Sequence, residues 1–287
     1  MLRHAYGKGD VTVYRTGGQL QKPLLAMNVR MVAIGEAFAE AYTAGENRAI
    51  IATDSMKNFI LRTAASYDGC TMEGFLVEVG DRFLQAYPQV QSVQVEAAEL
   101  PFTPAVVPAA GGVEPSPVLL VHEQGGAHST ASVELDRTGL LHQSCGLRSL
   151  QLVKLVGNSF AGFIRDEYTT LPEAHDRALF IYLEIGWRYA APADCTGTNP
   201  VRYVAADQIR TAVQAIFHER ENRSIQHLLH QMGSHLLERF EPLAEVSFVA
   251  QNRTWETAAV SAEEPTIKVY TDPRPPYGEI HLTLSRQ

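Results

Sequence analysis

The sequence predicts an α+β fold in which antiparallel sheets carry helices on one face. Two observations predict it. Strand-like and helix-like stretches come in groups, and the order strand, strand, helix, helix, strand, strand runs through the 287-residue chain about twice. Grouped strands and grouped helices form a sheet layer and a helical layer, whereas a parallel α/β sheet alternates the two element types. Apolar residues make up 45% of the chain, enough for a full core in one large or two medium domains. Sequence identity between the halves is weak, so the repetition is architectural.

The elements follow from spacing. Val11, Val13 and Arg15 alternate with Thr12 and Tyr14, a strand pattern, with Tyr6-Gly7-Lys8 just ahead of it. Residues 27–34 read as a second strand and, after a turn at Gly45-Glu46-Asn47, residues 48–53 as a third. Asp54 or Ser55 is placed to cap a helix through Phe59, Ile60 and Leu61, its side-chain oxygen accepting a free backbone amide. Met72, Phe75, Leu76, Val79, Phe83 and Tyr87 fall on one helical stripe, and Pro88 ends it. Residues 91–96 alternate as a strand. From 101 to 117, prolines at 101, 104, 108, 115 and 117 and the Gly111-Gly112 pair predict a loop, the long connection of a hairpin that resumes at 118–123. Residues 131–135, 150–154 and 178–187 read as strands, and 194–200 as a loop. Two helices follow, at 204–218 with Ile209, Val213, Ile216 and Phe217 inward, and at 223–239 with Leu228, Leu229, Met232, Leu236 and Leu237 inward. Strands at 245–249 and 277–284 close the chain.

Composition excludes several classes. A formal net charge of −8 speaks against a nucleic-acid surface, which would be basic, but allows a small anionic ligand in a pocket dominated by one arginine. Cys70, Cys145 and Cys195 are odd in number and unpaired in spacing, which fits a reducing compartment and implies neither a disulfide framework nor zinc. No apolar run approaches the roughly 18 residues of a membrane span. The start, Met1-Leu2-Arg3-His4, has no signal-peptide core, and Ser285-Arg286-Gln287 is not a clear peroxisomal address, so a cytoplasmic location is expected. No glycine-rich phosphate loop occurs. His227 and His230 share a face of the last helix, but a helix surface accounts for them and no metal site is assigned.

The stretch from Asn158 to Arg177 carries the most chemistry. Phe160 stands ahead of a polar run, Arg165-Asp166-Glu167-Tyr168-Thr169-Thr170-Leu171-Pro172-Glu173, and Arg177 follows. A ring that stacks and a guanidinium fork that donates in parallel are what a flat, polar or anionic ligand needs. On spacing alone a core phenylalanine and a surface arginine are the simpler reading. The run, however, resembles the signature region of the urate oxidases (uricases). Tyr6-Gly7-Lys8, Thr53-Asp54-Ser55-Met56-Lys57-Asn58 and Ser224-Ile225-Gln226 resemble other segments of that family, and the likeness is vague only over residues 100–146.

The resemblance implies two tandem tunnelling-fold (T-fold) units, residues 1–145 and 146–287, and four chains stacking their sheets into a barrel with sites between subunits. It implies hydroxylation of urate to 5-hydroxyisourate with reduction of O2 to H2O2, with no cofactor and no metal. By the same resemblance Phe160 stacks on the substrate ring, Arg177 and Gln226 grip its opposite edges with the Ile225 backbone assisting, and Asp54 and Thr53 meet it from the neighbouring subunit. Lys8, relayed through the Thr53 hydroxyl, is the implied base, and Asn252 the implied holder of oxygen or water. A primary amide suits a ring lactam because it both donates and accepts. The chain departs from the family in one place: where the family reads Asn-Lys-His, this sequence reads Asn252-Arg253-Thr254. Thr254 cannot act as a base near neutral pH, though its hydroxyl can pass a proton. Three functions therefore stand: urate oxidation, oxidation of another purine- or pteridine-like ring, and non-catalytic purine binding on the same scaffold.

Overall fold

A computed structural model describes residues 4–17 and 24–286. The first three residues and Gln287, which bear on the expected location, lie outside the described residues. The chain divides into two compact units: Met1–Gly146 with Arg188–Val204, and Leu147–Trp187 with Ala205–Gln287.

The first unit opens with β1 (Ala5–Arg15) and β2 (Leu25–Ile34), followed by a short helix α1 (Ala39–Thr43), then α2 (Thr53–Ser66) and α3 (Met72–Ala86). β3 (Ser92–Glu99), β4 (Phe102–Ala109), β5 (Gly112–His122), β6 (His128–Asp136) and β7 (Gly139–Lys154) follow, and β7 runs on into the second unit. Within the first unit the strand order is β1-β2-β3-β6-β7, with antiparallel pairing of β1 to β2, β2 to β3 and β3 to β6. Val93, Val95 and Ala97 of β3 and Val133 and Leu135 of β6 are buried at alternate positions, in one core with Phe75, Leu76, Val79 and Phe83 of α3. One buried face against a helix and one open face is the pattern that specifies register in an antiparallel sheet.

The second unit repeats the plan. β8 (Leu179–Tyr189) pairs beside β7, then come α4 (Ala206–Glu219), α5 (Ile225–Arg239), β9 (Leu243–Asn252), the small hairpin β10 (Glu256–Val260) and β11 (Lys268–Thr271), and β12 (Gly278–Ser285). The order is β7-β8-β9-β12, and β9 and β12 are antiparallel. Leu179, Ile181, Leu183, Ile185 and Trp187 give β8 an unbroken buried face. The echo between units reaches single residues. α3 and α5 each have 15 residues and begin on a hydroxyl cap, Thr71 accepting from the Gly74 amide and Ser224 from that of His227. Gly80 and Gly233 are the ninth residues of these helices. A Cβ on Gly80 would sit 2.6 Å from Leu135 and one on Gly233 2.6 Å from Leu284, so both helices rest directly on their sheets.

Three expectations need correction. Residues 48–53 form no strand. They turn, with the Ile50 amide donating to the Asn47 carbonyl at 3.0 Å, and lead straight into α2, because Ile51 is buried by packing and has no strand to pair with. Neither Asp54 nor Ser55 caps α2. The cap position is Ala52, without a side-chain bond, and Asp54 lies in the first turn, where its carboxylate binds Lys57 instead. Within the expected loop at 101–117, residues 102–109 and 112–117 are strand despite Pro104, Pro108, Pro115 and Pro117. In a two-stranded ribbon with β5 each strand has a free edge, so a residue lacking an amide hydrogen is tolerated. β10 and β11 were not expected at all.

Candidate active site

In the first unit Thr53 and Asp54 open α2, and Lys8 on β1 is close enough for its charge to act on Asp54. Lys8 lies on β1 opposite Met31, just before a bulge. Gly7 is required beside it, because a Cβ there would come 1.9 Å from the Met31 carbonyl oxygen. Tyr6, on the same strand face as Lys8, packs edge-on against Phe38 and accepts a hydrogen bond from the Ile51 amide at 2.6 Å. That bond ties the turn preceding Thr53 to β1. Thr53 and Asp54 are exposed. The Lys57 ammonium, 2.6 Å away, holds the Asp54 carboxyl below the usual carboxylate range, helped by the Asn58 amide and by the charge of Lys8. A groove between α2 and α3, lined by Ser55, Asn58, Phe59, Arg62, Arg82 and Tyr87, contains none of these three residues.

In the second unit the segment between β7 and β8 is pinned at its root by Asn158, which is only 1% exposed. Its Nδ2 donates to the carbonyls of Lys154 (3.0 Å), Val156 (3.3 Å) and Arg177 (3.0 Å), and its Oδ1 accepts from Asn222 Nδ2 at 2.9 Å. The Arg177 amide returns a bond to the Asn158 carbonyl at 2.9 Å, and Phe160 and Ala174 exchange backbone bonds of 2.7 and 2.9 Å. Two chain positions 17 residues apart are thereby drawn together. The Arg177 guanidinium stands 5.8 Å from the centre of the Phe160 ring. Phe163 lies against Phe160 with ring centres 4.9 Å apart and planes 13° from parallel, so a flat ligand uses the remaining face of Phe160 or displaces Phe163.

Arg177 is unfinished electrostatically. It is half-buried, burial pushes its guanidinium below the ordinary value, and its Nε is buried without an acceptor among the described residues. A desolvated cation with unused donors favours an anion. The start of α5 adds to this. Ile225 is buried and Gln226 exposed in the first turn, whose leading amides have no intrahelical partner, while Ser224 occupies that of His227 at 3.1 Å. Asn222, two residues before the Ser224 cap, ties this helix start to the Phe160 segment through Asn158. Asn252 ends β9, and the Thr254 hydroxyl donates to its Oδ1 at 3.0 Å. The Arg253 amide donates to the Phe180 carbonyl at 3.1 Å, three residues beyond Arg177, which keeps Asn252 and Thr254 near that end of β8.

Of the sequence-predicted residues, Phe160 and Arg177 stand together and Asn158 and Asn222 tie them to the chain just ahead of Ile225 and Gln226, Asn252 and Thr254 are bonded to each other, and Asp54, next to Thr53 in the chain, feels the charge of Lys8. Three organising residues were missed at the sequence level: Tyr6, Asn158 and Asn222. The asparagines stand at the starts of polar stretches, and their burial is invisible without the fold. No group of three or more His, Cys, Asp or Glu among the described residues is placed to hold a metal ion.

A guanidinium whose buried Nε lacks an acceptor among the described residues, set over an aromatic ring, is chemistry that suits a flat, anionic ring. The chain belongs to the uricase family, whose profile matches residues 4–135 and 143–281. It is 39% identical over 300 residues to the uricase of Halalkalicoccus jeotgali, a match that covers 98% of this chain and 97% of that one. It is 42% identical over 303 residues to the uric acid degradation bifunctional protein of Bacillus subtilis, covering 99% of this chain but only 61% of that longer protein. The crystal structure of urate oxidase from Bacillus sp. TB-90 matches with a TM-score of 0.91 and 41% identity, covering 99% of this chain and 100% of that one. The α+β fold, with its antiparallel sheets, is that of the urate oxidases.

Proposed function

We propose that this chain is a cofactor-free urate oxidase. Two electrons pass from the deprotonated urate ring to O2, water adds its oxygen to the ring carbon, and the protons released leave with the reduced oxygen as H2O2; the organic product is 5-hydroxyisourate. The observation that carries the reading is Arg177, a half-buried guanidinium with an unpartnered Nε above an aromatic ring. An anionic purine supplies both the missing acceptor and a face for Phe160. Gln226 and the Ile225 amide take the opposite edge. Lys8 removes the proton through the Thr53 hydroxyl, with Asp54 beside them, which is consistent with the electrostatic coupling of Lys8 to Asp54. Asn252 holds O2 or water above the ring, and Thr254, already bonded to Asn252, passes protons.

The units 1–145 and 146–287 act as two T-fold repeats, and the working assembly is a cytoplasmic homotetramer with its sites between subunits. Leu155, Val156 and Ile164, on the segment that carries Phe160, are 66%, 65% and 88% exposed, and covering them suits a second copy of the chain. Among the described residues no helix is long and apolar enough to cross a membrane. The test uses purified, metal-stripped protein with urate under air, following ultraviolet absorbance, oxygen uptake and peroxide. One O2 consumed and one H2O2 formed per urate supports the reading. An unchanged absorbance with no oxygen uptake sinks it. Light scattering of the same sample should give four times the chain mass.

A further inference from the structure

Around Asn252 the backbone alternates between two duties. Asn252 and Thr254 bond to each other, while their neighbours Gln251, Arg253 and Trp255 grip the rest of the second unit. The Arg253 guanidinium lies between two tyrosines, 3.6 Å from the ring centre of Tyr182 and 4.5 Å from that of Tyr277. Its Nε and Nη2 both donate to Gln251 Oε1, at 3.1 and 2.7 Å, so the residues on either side of Asn252 are locked to each other. Gln251 Nε2 reaches Glu279 Oε2 on β12 at 3.4 Å. The Arg253 amide holds the Phe180 carbonyl, and the Trp255 ring sits 5.4 Å from that of Phe180. The clamp matters here because β9 ends at Asn252, which pairs with Gly278. Beyond that point the sheet ladder no longer positions the chain.

We infer that Arg253 is a positioning residue that fixes Asn252 and Thr254 for the oxygen half of the reaction, acting through its tyrosine sandwich and its fork on Gln251. This rests on the urate oxidase reading above. A lysine would keep the charge over the tyrosines but has no planar fork to hold one oxygen with two donors. The role is therefore specific to arginine. It is also directional: Arg253 holds the residues assigned to oxygen and leaves Phe160, Arg177 and Gln226 untouched, so oxygen kinetics should respond and urate binding should not.

The test measures initial rates of urate-dependent oxygen uptake by the full chain and its variants, across dissolved-oxygen and urate concentrations. Arg253→Met is expected to lower kcat about 10- to 100-fold and raise the KM for oxygen about tenfold, with the KM for urate within about twofold of wild type. Arg253→Lys should fall between. Wild-type oxygen kinetics in Arg253→Met, or a change confined to the KM for urate, overturns the inference. Should the methionine variant lose its fold by circular dichroism, Arg253→Lys decides in its place, and oxygen kinetics in it equal to wild type overturn the inference. Asn252→Ala, run in parallel, separates the two levels. If wild type turns over urate and Asn252→Ala impairs oxygen kinetics, silent Arg253 variants defeat this inference alone. A wild type that takes up no oxygen with urate defeats the underlying reading and the inference with it.

Discussion

Arg177→Met is the most informative single substitution, because activity and stability are expected to part company. The methionine keeps most of the side-chain volume and removes the fork. Hydrogen bonds to a charged group contribute about 1.5–3 kcal/mol. At roughly 2–3 kcal/mol, kcat/KM for urate falls about 30- to 150-fold. The cost to folding runs the other way. The guanidinium has no acceptor among the described residues, and its Nε is buried without a partner. Removing an unsatisfied buried polar group gives back about 1–3 kcal/mol. The lost contact with Phe160, 5.8 Å away at a half-exposed site, is worth about 0.5–1 kcal/mol. Thermal stability should therefore stay level or rise by a few degrees. Steady-state rates on urate and a melting curve on the same preparation test both halves. A kcat/KM within about threefold of wild type, or a melting temperature that collapses, refutes the reasoning.

Asn158→Ala should behave oppositely. It strips a 1% exposed side chain that serves three carbonyls and the Asn222 amide, so a loss of about 2–4 kcal/mol in chemical denaturation is expected together with lost turnover; a wild-type midpoint would show the loop is held otherwise. Gly7→Ala forces a Cβ to within 1.9 Å of the Met31 carbonyl and should cost more than about 2 kcal/mol by disturbing the β1–β2 pairing, an expectation that a wild-type melting curve ends. Glu73 is buried beside Tyr203, whose hydroxyl donates to it at 3.1 Å, and burial pushes its carboxyl above the usual value. The folded state then holds a proton that the unfolded chain releases, so this contribution to stability is full below the ordinary 4.5 and declines as pH rises through the raised folded value. Glu73→Gln should flatten that decline, seen as a gain in melting temperature at pH 7 that vanishes near pH 4; a constant offset at both pH values contradicts it.

What the sequence revealed and what it hid divide along physical lines. The stripes of α3 and α5 were legible because a helix that rests on a sheet needs apolar residues on one face, and the helices bury the expected positions apart from Tyr87, just past the end of α3, and Leu237, both half-buried. Residues 48–53 misled because Ile50 and Ile51 look like strand residues, while their pairing partner is a matter of tertiary contacts. The prolines of β4 misled because they exclude a central strand but not a ribbon with free edges. At the site, chemically distinctive residues such as Phe160 and Arg177 stood out through their motif. Asn158 and Asn222 did not, since a surface asparagine and a buried one read alike until two positions 64 apart in sequence are folded together and the two amides meet. Asp54 was chosen for the right neighbourhood with the wrong bond, because the competing ammonium, Lys57, lies one helical turn further on.

The central claim is that one flat anionic ring is held by Phe160, Arg177 and Gln226 while Lys8 and Thr53 reach it in the assembled protein. The most direct measurement is a crystal structure of the oligomer soaked with a purine that mimics urate but resists oxidation. The ring is expected parallel to Phe160, with Arg177 and Gln226 at hydrogen-bond distance, about 3 Å, on opposite edges and the Lys8–Thr53 pair of some subunit at the same ring. A purine bound elsewhere, or Lys8 far from every occupied site, contradicts it.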